Sequence, residues 1–260
     1  MVVGPTFGEY ARAARVAGCV VHDYRASPID RFAVDPSAVA ALVRATDARV
    51  VFVCNPNNPT GVLLPLDAVG ALAEAAPDSL IVVDESYRQF VDEPPASTPL
   101  LVRGNVVLLR SLTKDYALAG LRLGYALAPP EVALALDRVR PPWNVNAVAQ
   151  AAGLAAIRDE AHLERARAEA RRARGYLAAA LADHGWRVMP SAANYLLAEV
   201  GEARAARAAL LQHRVCVRDC TSFGLPRFVR IGVRSLPECE RLVDAFAADD
   251  VRAAVGAGDG

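Results

Sequence analysis

Lysine is almost missing from this chain of 260 residues, although arginine is abundant. Of its 29 lysine and arginine residues, Lys114 alone is a lysine. Arginine stays protonated in proteins, whereas lysine can lose its proton and attack a carbonyl carbon. The retained lysine therefore indicates a position that needs a nucleophilic amine. The alternative is a chance remnant in a composition that favours arginine.

Other features that the sequence lacks argue against several classes of protein. The formal net charge is zero, which argues against a nucleic-acid surface or an acidic tail. No apolar run reaches 18 residues, and the first residues lack the basic start of a signal peptide, so neither a membrane span nor secretion is expected. The five cysteines contain no CxxC pair, and with four histidines they show no zinc spacing. We expect reduced thiols in a cytoplasmic protein without a metal site.

The apolar segments predict an α/β fold. Runs at 50–54, 80–83 and 106–109 read as buried strands and alternate with helical patterns, which is typical of a mainly parallel, mixed sheet with covering helices. Polar residues follow each run directly. Because ligands bind at the carboxyl ends of strands in open parallel sheets, we expect the three polar segments to face one crevice.

The second half predicts a smaller α+β domain. We place the boundary so that residues 1–145 form a partial large domain and residues 146–260 a small domain that includes the linking helix. Expected helices lie at 147–183 with one break, at 203–213 and at 237–248; expected strands lie at 186–189, 195–198, 215–217 and 228–233. The charged run at 165–174 predicts a solvated helix face, and the tail at 253–260 predicts disorder.

Two segments after predicted strands carry candidate site residues. Asn55 to Gly61 reads NPNNPTG, either an ordinary turn or one that aims an amide at a cofactor oxygen. Asp84 could keep a ring nitrogen protonated and make the ring an electron sink, with the Tyr87 hydroxyl on the ring oxygen. The alternative for Asp84 is a helix cap followed by a packed tyrosine.

The lysine has a phosphate-binding pattern around it. Ser111, Thr113 and Arg122 could form a cup for a phosphate, and Lys114 could form a Schiff base to an aldehyde cofactor. A capping serine and a surface arginine are the alternative. Arg230 lies between apolar residues of a predicted strand, where it could grip a substrate carboxylate with two N–H groups or form a structural salt bridge.

Together, these motifs resemble the fold-type I pyridoxal-phosphate enzymes, specifically the class I/II aminotransferases. The NPxNPTG turn, Asp-x-x-Tyr, and Ser-x-x-Lys with an arginine eight residues later occur in the family's order, and the resemblance runs from about Pro5 to Ala248. It implies pyridoxal 5'-phosphate (PLP) as the cofactor, a homodimer, and a small amino acid or phosphorylated amine as the substrate. The implied catalytic residues are Lys114, Asp84 and Tyr87.

The resemblance also implies the contacts of the other site residues. The ring would be stacked by Phe7 and its hydroxyl bound by Asn58 and Tyr87, and the phosphate would be held by Ser111, Thr113 and Arg122. The substrate would be bound by Arg230, Asn194 and Arg218, the last on a substrate phosphate.

Two subfamilies are most similar, histidinol-phosphate aminotransferase and the threonine-phosphate decarboxylase of cobalamin biosynthesis. Tyr87 favours the aminotransferase, whereas segments 142–146 and 218–223 favour the decarboxylase. Family members carry roughly a further hundred residues before the position of Pro5, including a glycine-containing loop that binds the phosphate. We therefore expect exposed apolar surface and keep a non-catalytic sensor or inactive fragment as an alternative.

Overall fold

A six-stranded sheet forms the first half of the protein, for which a computed structural model describes residues 1–255. The strands are β1 (Val2–Gly4), β2 (Asp23–Arg25), β3 (Val50–Cys54), β4 (Leu80–Asp84), β5 (Val106–Ser111) and β6 (Gly124–Leu127). Their order is β2-β1-β3-β4-β5-β6, and all neighbours are parallel except β5 and β6. The predicted mainly parallel, mixed α/β sheet is confirmed.

Helices cover this sheet with apolar side chains. The helices of the first half are α1 (Glu9–Val16), α2 (Pro36–Thr46), α3 (Leu66–Ala75) and α4 (Pro130–Val139). Val39 and Val69, on α2 and α3, are fully buried in one cluster with Val51 and Ile81 of the sheet. Removing such side chains from water is the main favourable term in folding, and it fixes the strand ends that carry the polar residues.

A four-stranded antiparallel sheet forms the second half. Its strands are β7 (Arg187–Met189), β8 (Tyr195–Glu199), β9 (Arg218–Asp219) and β10 (Phe228–Gly232), in the order β7-β8-β10-β9. The accompanying helices are α5 (Ala147–Ala156), α6 (Glu160–Asp183), α7 (Ala203–Gln212), α8 (Leu236–Ala247) and α9 (Asp249–Val255). Leu177, Leu210 and Phe246 pack from α6, α7 and α8 onto one face of this sheet.

For three segments of the second half, the structure can be set against the expected helix break, strand and disordered tail. The expected break in the long helix separates α5 from α6, where the Asp159 side chain accepts from His162 N at 2.9 Å and starts α6. The strand expected at 215–217 lies instead at β9, because Arg218 and Asp219 are the residues that pair with β10. The expected disorder is wrong for 253–255, which belong to α9; the rest of that tail lies outside the described residues.

The charged run at 165–174 is a solvated face only in part: Arg165 and Arg172 are exposed, whereas three other arginines bind the first half of the protein. Arg167 donates to the carbonyl oxygens of Val91 and Asp92, and Arg171 binds the Asp92 carboxylate at 3.1 Å. Arg174 is buried and donates to the carbonyl oxygens of Phe90 and Ala193 and to the Asp92 carboxylate. These arginines attach α6 to the segment that follows β4. The sequence pattern missed them because their partners are mostly backbone carbonyls.

We expect Arg174→Met to lower the free energy of unfolding by about 3 kcal/mol, because it leaves buried carbonyl oxygens without donors. Urea denaturation measures this change. Arg165→Met, at an exposed position of the same helix, is the matched control and is expected to change stability by less than about 0.5 kcal/mol. Equal effects of the two substitutions would contradict the role given to Arg174.

Within residues 1–255, no helix is long and apolar enough to cross a membrane. The same residues contain no group of three or more histidine, cysteine, aspartate or glutamate side chains placed to hold a metal ion.

Candidate active site

The carboxyl ends of β3, β4 and β5 meet at one edge of the parallel sheet. Cys54 at the end of β3 lies beside Asp84 of β4, which lies beside Leu109 of β5. The chain leaves these strands into the NPNNPTG turn, the Asp84–Tyr87 segment and the Ser111–Lys114 segment. The sheet therefore brings the three polar segments to one side of the molecule, as in other open parallel sheets that bind ligands there.

The NPNNPTG turn is held by its own side chains. The Asn55 amide donates to Leu64 O and accepts from Leu64 N, both at 2.8 Å, so it closes the loop. Asn57 donates to Pro5 O and to Thr60 Oγ1. Gly61 has a φ of 74°, and a Cβ there would lie 2.1 Å from Ser191 Oγ, so only glycine fits. These hydrogen bonds fix the conformation of the turn.

Asn58 is one of the residues of this turn that contact the second half of the protein. Arg230, on β10, donates through Nη1 to Asn58 Oδ1. The Arg230 guanidinium lies 5.1 Å from the Tyr195 ring centre, and the Tyr195 hydroxyl donates to Asn57 O at 2.8 Å. Among the described residues, Arg230 pairs with no carboxylate, so the salt-bridge alternative does not hold. Its remaining donors are available to a ligand.

Lys114 lies against hydroxyl groups and an aromatic ring. Its Nζ donates to Ser111 Oγ at 3.3 Å, and Ser111 Oγ and Thr113 Oγ1 share a hydrogen bond of 2.7 Å. The amine also lies 5.3 Å from the ring centre of Tyr87, whose ring packs against that of Tyr195 at an interplanar angle of 88°. The single lysine is thus fixed among polar groups at the end of β5.

Burial lowers the pKa of Lys114 below that of a free lysine. Asp84 and Asp115 oppose this shift, because a nearby negative charge favours the ammonium form, while Arg122 adds to it. Since burial is the larger effect, the neutral amine becomes available at a lower pH than for an exposed lysine. The shift favours attack on a carbonyl carbon, which requires the neutral amine.

Asp84 is held by two donors. Its Oδ1 accepts from Ser86 N at 2.9 Å, and its Oδ2 accepts from the Tyr10 hydroxyl at 2.6 Å. The carboxylate therefore combines a local turn contact with a contact from α1. Tyr10 was not identified from the sequence, although it lies three residues after Phe7, one turn further along the chain.

Asp115, next to the lysine, is a buried carboxylate. It is 7% exposed, and its Oδ1 has no hydrogen-bond partner. Burial raises the pKa of Asp115 from 3.8 to about 6, and Lys114 opposes that rise. Between these two pH values the folded protein holds a proton that the unfolded chain has released. Stability therefore falls as pH rises through this window and stays lower above it.

We expect Asp115→Asn to raise the free energy of unfolding at pH 8 by about 3 kcal/mol, because a pKa unit corresponds to about 1.4 kcal/mol. Near pH 4, where Asp115 is protonated in the folded protein, the gain should largely vanish. Urea denaturation at the two pH values measures both. A gain that is equal at both would show that ionisation of Asp115 is not its cause.

Three further predicted site residues differ in their exposure to solvent. Phe7 is 42% exposed and meets Tyr10 edge-on at 5.6 Å. Arg122 is exposed, with a φ of 55°, and donates to Ala119 O. Asn194 Oδ1 is buried without a hydrogen-bond partner.

Arg218 is the predicted residue that the structure sets apart from the lysine. It lies directly opposite Arg230 on the antiparallel pair β9–β10, so both side chains start from the same face of the sheet. Its guanidinium donates to Ser222 Oγ at 2.9 Å and lies 5.8 Å from the Phe223 ring centre. It contacts none of the groups around Lys114. It lines an open cavity of 360 Å³ at the edge of the small sheet.

Most of the chain is similar in sequence to proteins of a known family. The family model "Aminotransferase class I and II" matches residues 1–246. A histidinol-phosphate aminotransferase of Haloarcula marismortui is 41% identical over 247 residues, which cover 95% of this chain and 67% of that protein. The enzyme of the same name from Symbiobacterium thermophilum is 41% identical over 252 residues, 95% of this chain and 68% of that protein. The chain thus spans about two thirds of these relatives.

Solved structures show the same fold. Histidinol-phosphate aminotransferase from Sinorhizobium meliloti, in complex with pyridoxal-5'-phosphate, superposes with a TM-score of 0.89 at 27% identity, covering 97% of this chain and 70% of that one. Aspartate aminotransferase from Thermus thermophilus gives a TM-score of 0.86 at 29% identity, covering 95% of this chain and 68% of that one. The extent of the family match and the identity to its members lead to one conclusion: the chain belongs to the class I and II aminotransferases.

Proposed function

We propose that this protein is a PLP-dependent aminotransferase that acts on an amino acid or a phosphorylated amino compound. Its similar relatives carry the name histidinol-phosphate aminotransferase. The observation that carries the proposal is the single lysine, with its pKa lowered by burial, at the end of β5 beside Asp84 and two hydroxyls. An amine in this setting is suited to a carbonyl cofactor. The family match and the named relatives support the same reaction.

The side chains at the site fit PLP chemically. The cofactor presents an aldehyde, a basic ring nitrogen, a ring hydroxyl and a phosphate. The site offers an amine, a carboxylate held by two donors, an amide and paired hydroxyls, each of the matching type. Arg122 donates through Nη1 to the backbone carbonyl of Ala119, which leaves other guanidinium N–H groups for a phosphate.

Bound PLP would supply an electron sink for a carbanion at the substrate Cα. Lys114 would hold the cofactor through its amine and would carry a proton to and from the substrate Cα. Asp84 would hold the proton on the ring nitrogen; its half-buried carboxylate accepts from Ser86 N and from the Tyr10 hydroxyl. Tyr87 donates its hydroxyl to the ring oxygen; burial raises its pKa, so it stays protonated as a donor.

The hydrogen bond from Arg230 sets the orientation of the Asn58 side-chain amide. Because Oδ1 of Asn58 accepts from Arg230, its Nδ2 is the end left to donate to the ring oxygen. The phosphate is assigned to Ser111, Thr113 and Arg122. Phe7, whose exposed ring lies beside Tyr10, is assigned to stacking on the cofactor ring.

We assign the substrate carboxylate to Arg230 and Asn194. Arg230 has donors left after its contact to Asn58, and a guanidinium can bind a carboxylate side-on with two N–H groups. Arg218 starts from the same sheet face as Arg230, and this supports its assignment to a substrate phosphate further from Lys114. A substrate with a carboxylate end and a phosphate end would engage the two arginines together.

The substrate assay separates this reaction from its alternatives. PLP-loaded protein is incubated with histidinol phosphate and a keto acid, and separately with threonine phosphate, while the amino acid product and carbon dioxide are measured. We expect amino transfer from histidinol phosphate. Carbon dioxide release from threonine phosphate would assign the decarboxylation branch instead, and turnover of neither would favour a non-catalytic role.

We further propose that residues 1–145 and 146–260 act as two domains with the site between them. The separate sheets and the Arg230–Asn58 contact support this division.

We also propose that the protein functions as a homodimer. Exposed apolar side chains support the dimer, because an exposed apolar surface is often one that another protein covers. They include Leu134, Val139 and Trp143, which is 94% exposed. Analytical ultracentrifugation tests the dimer.

The cysteine pattern supports the expected cytoplasmic location. All five cysteines are free thiols, three of them buried, as is usual in a reducing compartment.

A further inference from the structure

The buried phenol of Tyr10 has a polar partner that the proposed reaction does not explain. Its hydroxyl lies 2.6 Å from Asp84 Oδ2, on the carboxylate assigned to the cofactor ring nitrogen. Ser86 N occupies the other oxygen at 2.9 Å. One donor comes from the chain just after β4 and the other from α1, 74 positions earlier. Two donors from separate elements fix the plane of the carboxylate.

Packing fixes the position of the Tyr10 ring. The ring is stacked on Phe52 at 5.0 Å with an interplanar angle of 7°, and its edge meets Phe7 at 5.6 Å. Tyr10 is 8% exposed, so the hydroxyl cannot turn out to water without breaking these contacts. Burial, together with the Cys54 and Asp84 side chains, raises the pKa of Tyr10 far above its ordinary value. The hydroxyl therefore remains a donor at every pH at which the protein is folded.

We propose that Tyr10 is a positioning residue that keeps the Asp84 carboxylate aimed at the ring nitrogen of PLP, and so sets the affinity for the cofactor. The inference rests on the proposed function. A fixed donor holds a carboxylate in one orientation, and a protonated ring nitrogen requires an acceptor aimed at it. Phe7 lies against the same tyrosine, so Tyr10 also links the stacking residue to Asp84.

Tyr10→Phe tests the inference because it keeps the ring and its stacking and removes the hydroxyl. We expect the dissociation constant for PLP, from absorbance titration, to rise about tenfold, the loss of one charged hydrogen bond. The ¹⁵N chemical shift of ¹⁵N-labelled PLP should move toward the value of a neutral ring. Tyr24→Phe is the matched control. Its hydroxyl accepts from Asp35 N at 3.2 Å away from Asp84, and both readouts should stay as in the wild type.

A cofactor-free measurement accompanies the binding test. Thermal unfolding of Tyr10→Phe, Asp84→Ala and the double variant should give shifts that do not add, because both single variants remove the same bond. Additive shifts would overturn the hydrogen bond itself. Unchanged affinity and ¹⁵N shift in Tyr10→Phe, with wild-type protein that binds PLP on Lys114, would overturn the inference alone. Wild-type protein that binds no PLP would overturn the proposed function and the inference with it.

Discussion

Lys114→Ala is expected to abolish amino transfer, with a loss of at least about 10⁴-fold, because the substitution removes both the nucleophile and the proton carrier. No second lysine can replace it, since the chain contains one. The visible absorbance band of the bound cofactor should disappear as well. Steady-state rates with histidinol phosphate and absorbance spectra of the PLP-treated protein measure the two effects.

Lys114→Arg is the control for charge. It keeps a cation near Ser111 and Asp84, but a guanidinium stays protonated and does not attack a carbonyl carbon. We expect the same loss of rate as in Lys114→Ala, with circular dichroism unchanged in both variants. Activity within tenfold of the wild type in either variant would contradict the role of Lys114 as the reacting amine.

Asp84→Asn is expected to lower the rate of amino transfer by about 10² to 10³-fold, the effect of losing one oriented electrostatic partner of a developing charge. The amide has nearly the shape of the carboxylate and can still accept from Ser86 N, so folding should persist. It carries no charge to hold a proton on the ring nitrogen. Measurement of kcat and of the PLP dissociation constant should show both to be impaired.

Glu85→Gln is not a suitable control for that substitution, because Glu85 binds Arg110 at 2.8 Å and is itself buried. Asp67→Asn serves instead, since Asp67 lies on α3 and its carboxylate accepts from Ala68 N. Asp67→Asn should leave the rate unchanged. A loss below fivefold in Asp84→Asn would show that the charge of Asp84 does not support the reaction.

The sequence predicted the parts of the fold that depend on local pattern. The strands that became β3, β4 and β5 are short apolar runs bounded by polar residues, and a pattern of this kind identifies a buried parallel strand. The break between α5 and α6 was also expected. The site residues on these strand ends could be proposed because their motifs are contiguous in the chain.

Contacts between distant residues were not predictable in this way. Tyr10 reaches Asp84 only because α1 lies against the end of β4, and no pattern in the chain indicates this pair, which is 74 positions apart. Arg174 was taken for a solvated residue because its acceptors are mostly carbonyl oxygens, which every residue has. The strand expected at 215–217 moved to β9 because hydrogen-bond register with β10, rather than apolar alternation, decides which residues pair.

The most direct test of the account is to locate the amine that binds PLP. The protein is incubated with PLP, reduced with borohydride and digested, and the pyridoxyl group is located by mass spectrometry. The other primary amine in this sequence is the α-amine of Met1, which donates to Val50 O. The account predicts the label on Lys114 and its absence in Lys114→Arg. A label on Met1 alone, or none at all, would contradict the claim that Lys114 is the centre of a cofactor site.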